Sequence, residues 1–289
     1  MLSSTWAVRF TIIVPMSAVL FAARIGTAND SDCGPLMSDD PTIPSLILVA
    51  GTGRCGTLTV TRSLQEVDVD AEHEPSRHLI GTVAAFWPGG AIDDVEALRL
   101  LSGCQWHEVN AFYLYPVLLP LLQHRFPEAR WLWVIRNAAD TVASMVRHGW
   151  YRPEDDLPFP VTLLYPQDGV IFSSPPWHAR PNAVICDGMP CREWELLPQA
   201  GRCAWWWDWV WRQMRQVECA RYRIETQQPH LYHRALGFPD PKHWWVANMS
   251  DTRSEPDSDI VGWVDRFCAE GMAELYAGWD GKGRRPADG

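Results

Sequence analysis

Residues 51–58 read Gly-Thr-Gly-Arg-Cys-Gly-Thr-Leu. Backbone N–H groups in such a glycine loop converge on an anion, and a helix opening behind it adds about half a positive charge. Arg54, inside the loop, adds a full charge and a fork of donors. A second pair follows at Arg136 and Ser144, eight positions apart. Arg136 closes an apolar run, and Ser144 falls about two turns into the next helical stretch, so both reach one phosphate beside a strand end. A third group can move protons: Glu72, His73 and Glu74, ahead of Pro75, and further on His107 and Glu108. Carboxylates and imidazoles are the side chains that take a proton from a hydroxyl. The glycine loop alone also fits a plain tight connection in an α/β protein, and only the two later groups argue for a site.

The elements that must position these residues follow from the pattern. Leu46 to Ala50 is unbroken and apolar, as a buried parallel strand requires, and a helix is predicted from Thr57 to about Glu66. Val67 to Ala71 alternates like a short strand and delivers Glu72, His73 and Glu74 to the strand's end. Strand C-termini line the ligand crevice of a parallel sheet, so these residues are expected at the same mouth as the loop. Residues 78–92 read as a loop, Ile92 to Leu101 as a helix, and Gln105 to Asn110 as another strand end. A helix over Leu114 to His124 breaks at Phe126-Pro127. Trp131 to Ile135 is a second apolar strand, ending at Arg136, and Asp140 is placed to cap the helix after it. Residues 151–200 are rich in proline and read as an irregular cap. Cys203 to Gln216 reads as a helix with tryptophans on more than one face, serving either core packing or an aromatic wall for sugars or rings. Strand, turn and helix are expected over Tyr222 to Pro239, and a last helix over about Ile260 to Tyr276. The fold class is α/β, a three-layer sandwich with a central parallel sheet.

Bulk properties bound the function. The chain has 289 residues, 17 of them tryptophan, and a net charge of −10. That charge argues against nucleic acid, which needs a basic face, and against highly sulfated polyanions. Residues 10–23 are apolar after Arg9. The run is shorter than the about 20 residues of a spanning helix, and small residues follow it, so residues 1–28 read as a signal peptide or a signal anchor. Two glycosylation sequons, at Asn29 and Asn248, agree with secretory entry. A start placed too far upstream would instead mean a cytoplasmic protein. Residues 29–44 form a linker, 45–278 the main domain, and 279–289 an exposed tail. The eight cysteines show no diagnostic spacing. Cys186 and Cys191 flank a turn and could bridge, and no ligand cluster points to a metal.

At this point the chain resembles the sulfotransferases that use 3′-phosphoadenosine 5′-phosphosulfate (PAPS). Arg54-Cys55-Gly56-Thr57-Leu58 is similar to their Arg-Ser-Gly-Thr-Thr phosphosulfate loop, and Arg136 with Ser144 is similar to their 3′-phosphate motif. Later stretches are similar to the bacterial-type and carbohydrate branches. The resemblance implies a P-loop-like phosphosulfate loop and transfer of a sulfuryl group to an acceptor hydroxyl on a carbohydrate or small molecule. It implies donor contacts at Gly53, Arg54, Cys55, Gly56, Thr57, Leu58, Arg136 and Ser144, with Arg54 at the leaving group. The base is Glu74, with Glu72 and His73 next and Glu108 and His107 as the second choice. No metal is needed, because Arg and amides meet the donor's charge. The lumen of the Golgi, where such a donor is supplied, is the compartment implied for a secreted chain. Cys55 and Leu58 depart from the family's pattern and remove hydroxyl contacts. Gly281-Lys282-Gly283-Arg284 resembles the Lys-Gly loop of cytosolic members, but its place in the tail argues against that role.

Two rival readings stay open. A phosphate-loop kinase or hydrolase fits two glycines five apart, Gly51 and Gly56, but the loop holds no lysine. A catalytically inactive relative that only binds also fits.

Overall fold

A computed structural model describes residues 46–88, 92–153, 191–225, 229–241 and 257–277. The chain divides into Met1–Thr42 and Ile43–Gly289. The signal segment, the linker, most of the 151–200 insertion, Cys186, both sequons and the tail lie outside the described residues. Among the described residues, no helix is long and apolar enough to cross a membrane.

Five parallel strands form one sheet in the order β2-β3-β1-β4-β5: β1 Ile47–Ala50, β2 Ala71–His73, β3 Val109–Ala111, β4 Arg130–Ile135 and β5 Ala220–Arg223. β1 is central and fully buried, which is why its sequence is apolar without alternation. Its two faces still divide. Ile47 and Val49, with Leu132 and Val134 of β4, pack against α1 (Thr57–Gln65) and a helix over Pro229–Leu236. Leu48, Ala50, Trp131, Trp133 and Ile135 pack on the other face. That layer includes α2 (Arg77–Phe86), α3 (Asp94–Ser102), α4 (Leu119–Arg125), α5 (Ala138–Arg147), α6 (Cys191–Leu196) and α7 (Gln199–Met214). In chain order the helix over Pro229–Leu236 is α8, and α9 is Ser258–Leu275, packed on α5 and α7. Helices on both faces of a parallel sheet make the expected three-layer α/β sandwich.

The order of strands also fixes where a ligand belongs. The chain leaves β1 through α1 on one face and leaves β4 through α5 on the other. Connections that part from neighbouring strands open a crevice at their C-terminal ends.

Several elements differ from the sequence prediction. Of the loop expected over 78–92, residues 78–86 are helical: α2 occupies Arg77–Phe86, and Ile80, Val83 and Ala84 bury one helical face beside Ala97 and Leu101 of α3. The strand expected at 67–71 begins only at Ala71, because Val67 and Asp68 still donate to Leu64 and Gln65 carbonyls and close α1. Asn137, not Asp140, caps α5, accepting from the Asp140 N–H at 2.8 Å. Within the expected irregular cap, Cys191–Leu196 is helical and α7 already begins at Gln199.

Candidate functional site

The loop after β1 is bent by left-handed residues. Gly53 (φ 75), Arg54 (φ 54) and Gly56 (φ 103) all have positive φ. Glycine is required at Gly53 for lack of room as well: a Cβ there would strike the Trp150 ring, whereas one on Gly56 would meet only the movable tip of Ile224. No side chain caps α1, and its first turn has no acidic residue. The first backbone bond of this helix runs from Val60 N–H to the Gly56 carbonyl, so the amides of Thr57 and Leu58 have no intrahelical acceptor.

Arg54 is the centre of the site. Its Nε donates to Ser144 Oγ at 3.3 Å and its Nη2 to His148 Nε2 at 2.8 Å. The Arg136 guanidinium donates to the Arg54 carbonyl at 3.1 Å. The loop after β1 and the segment after β4 are thus joined at the crevice between those strands. Among the described residues no carboxylate pairs with Arg54. Burial, then repulsion from Arg136 and Arg147, pulls its pKa down. A half-buried cation with only neutral partners and two cationic neighbours is a standing charge imbalance, which an anion relieves.

The Cys55 side chain does not reach the surface of the loop. Its thiol is fully buried beneath the loop, against the backbone of Thr52, Gly53 and Thr57, and a Cβ on Gly51 would collide with it. Burial pushes the thiol up, which keeps it protonated and inert. Its part in the loop is packing, and only its amide is available to a ligand.

The proton-accepting candidates separate into two groups. His73 and Glu74 stand at the C-terminal end of β2, the same edge as the loop. His73 Nε2 lies 3.2 Å from Thr57 Oγ1 at the start of α1. Burial, then Arg77 and Arg62, lowers its pKa to about 4. Glu74 (φ 58) turns the chain out of β2 and pairs with Arg77 at 3.4 Å. Burial raises its carboxyl, with Arg77 opposing. Glu72 is exposed on the strand. Glu108 and His107 lie at the other edge. The Glu108 carbonyl receives the Ile47 N–H at 2.8 Å, at the N-terminal start of β1, and His107 contacts Asp70 at 2.9 Å. A strand end was correctly expected there, but it is the opposite end, so these two residues are not brought to the crevice.

His73 gives a pH prediction. Its folded pKa of about 4 lies below the ordinary value of 6.5, so between those values the unfolded chain binds more protons. Stability therefore rises with pH across that window and is lost as pH falls through it. The expected loss between pH 7 and pH 4 is at most about 3 kcal/mol from this residue, reduced by its partial exposure. Thermal melts at several pH values check it: His73→Gln should flatten the acid limb.

Three contributors escaped the sequence. Trp206 Nε1 donates to the Thr52 carbonyl at 2.8 Å, and Trp207 Nε1 donates to the Arg136 carbonyl at 3.0 Å. Consecutive indoles on α7 thus pin both site segments. All five tryptophans from Trp205 to Trp211 are buried, so they form core and not an exposed wall. Glu225, after β5, accepts from the Asn137 N–H at 2.6 Å and the Tyr276 hydroxyl at 3.0 Å, and burial raises its carboxyl. That carboxylate occupies the N-terminus of α5. No family model matches the chain, and no curated protein matches it in sequence.

Proposed function

We propose that the chain is a sulfotransferase that moves a sulfuryl group from PAPS to an acceptor hydroxyl on a carbohydrate or small molecule. The observation that carries this reading is the uncompensated Arg54 guanidinium, joined to Ser144 and Arg136 at the crevice between β1 and β4. The donor set fits PAPS, whose anionic groups need cations and amides and no metal. The net charge of −10 favours a neutral acceptor over a polyanion.

When bound, the donor supplies an activated sulfuryl group for in-line displacement. The amides of Arg54, Cys55, Gly56 and Leu58 and the Arg54 guanidinium hold the phosphate that departs and take up its growing charge, while those of Gly53 and Thr57 face the Cys55 thiol. Arg136 and Ser144 hold the second phosphate. Glu74 takes the proton from the acceptor oxygen. Its carboxyl, raised by burial, is better matched to neutral pH than His73, whose imidazole is a weak base with a pKa of about 4. His73 instead hydrogen-bonds the Thr57 hydroxyl and fixes the start of α1.

Transfer from labelled PAPS across an acceptor panel tests this reading. Glu74→Gln is expected to lower turnover by about 10²- to 10⁴-fold with donor affinity unchanged. Glu108→Gln, at the far edge, is expected to turn over as the wild type does. Normal turnover in Glu74→Gln would remove Glu74 from the mechanism.

A further inference from the structure

His148 has no role in the proposed reaction, yet it makes the shortest contact to Arg54. Its Nδ1 lies 2.7 Å from the Ser144 carbonyl, and its Nε2 lies 2.8 Å from Arg54 Nη2. A carbonyl only accepts, so Nδ1 carries the proton. A guanidinium only donates, so Nε2 is the bare acceptor. Both bonds together are made by one tautomer of the ring. Ser144 and His148 are four apart at the end of α5, and together they grip both Nε and Nη2 of one guanidinium.

We infer that His148 is a positioning residue that aims the Arg54 guanidinium for anion binding without neutralising it. A carboxylate at this place would hold the guanidinium equally well, but it would satisfy the charge and compete with the incoming anion. An imidazole acceptor fixes the fork and leaves the charge to the ligand. That also explains a half-buried arginine next to Arg136 and Arg147 with no carboxylate partner among the described residues. The inference rests on the anion-binding part of the proposed function and names a residue outside the resemblance.

Three variants separate the roles of acceptor and charge. His148→Gln keeps an uncharged acceptor, His148→Phe removes it at similar ring size, and His148→Glu adds the competing charge. Calorimetry uses two probes, inorganic pyrophosphate and 3′-phosphoadenosine 5′-phosphate, and thermal melts confirm folding, which an exposed position should tolerate. Binding of both probes is expected to stay within about threefold in His148→Gln, to weaken about tenfold in His148→Phe, and to weaken about a hundredfold in His148→Glu. Wild-type affinity in both His148→Phe and His148→Glu would overturn the inference, as would a wild type that binds neither probe. If pyrophosphate binding follows this ordering while 3′-phosphoadenosine 5′-phosphate does not bind, His148 keeps its role and the sulfuryl-donor reading fails.

Discussion

Arg54→Ala is expected to abolish measurable donor binding and to lower kcat/KM for sulfuryl transfer by about 10³-fold, the effect of a cation at a transferring group. The same change should leave the melting temperature unaltered or raise it. The side chain is half-buried, has no carboxylate partner among the described residues, and is repelled by Arg136 and Arg147. Removing it relieves that repulsion and costs two hydrogen bonds, to Ser144 and His148. The backbone contributes nothing to the difference, because alanine keeps the Cβ that makes φ 54 unfavourable. A residue retained for packing would give the reverse pattern, a lower melting temperature with binding intact. Melts and calorimetry on one preparation decide between the two.

Trp206→Ala is expected to cost about 3–5 kcal/mol, enough to take most of the stability of an ordinary domain. Trp206 is fully buried, stacks on Trp209 at 5.4 Å and meets the Tyr151 edge at 6.1 Å. Trp206→Phe is the more informative variant. It keeps an aromatic ring but leaves the Thr52 carbonyl without its N–H donor, at a cost of about 1–3 kcal/mol. Thr52 lies in the glycine loop, so the phenylalanine variant should also bind the donor more weakly, whereas Trp194→Phe, away from the loop, should change stability alone. Denaturant melts combined with donor titration check both effects. A phenylalanine variant that matches the wild type in both would show that the indole bond does not hold the loop.

The candidate site was partly legible in the sequence because its glycine-loop part is local. An apolar strand, a glycine loop and a helix start are contiguous at residues 46–65, and Arg136 follows directly on an apolar strand. Neither pattern needs tertiary information. What failed was short or long-range. β2 and β3 have three residues each, too few for periodicity to mark their ends, so β2 was expected too early and Glu108 was assigned to the wrong edge. Glycine at 81 hid α2, and Ser76 at its start turns its hydroxyl to the Gln105 N–H and not to the helix. Asn137 precedes Asp140 by three, and either can open a helix; the choice fell to Asn137, whose amide also meets Glu225 from the segment after β5. His148 was invisible because its meaning depends on Arg54, 94 positions away, and a lone histidine after a helix carries no pattern. The tryptophans of α7 showed burial on several faces in sequence, but not that two indoles would reach back to Thr52 and Arg136.

Calorimetric titration with 3′-phosphoadenosine 5′-phosphate in the presence of a chelator, set against ATP with Mg²⁺, tests the central claim most directly. One equivalent of the bisphosphate is expected to bind without metal, and Arg136→Ala, which unties the β4 segment from the Arg54 carbonyl, should lose that binding. Absence of bisphosphate binding by the wild type, or a preference for ATP with Mg²⁺, would contradict it.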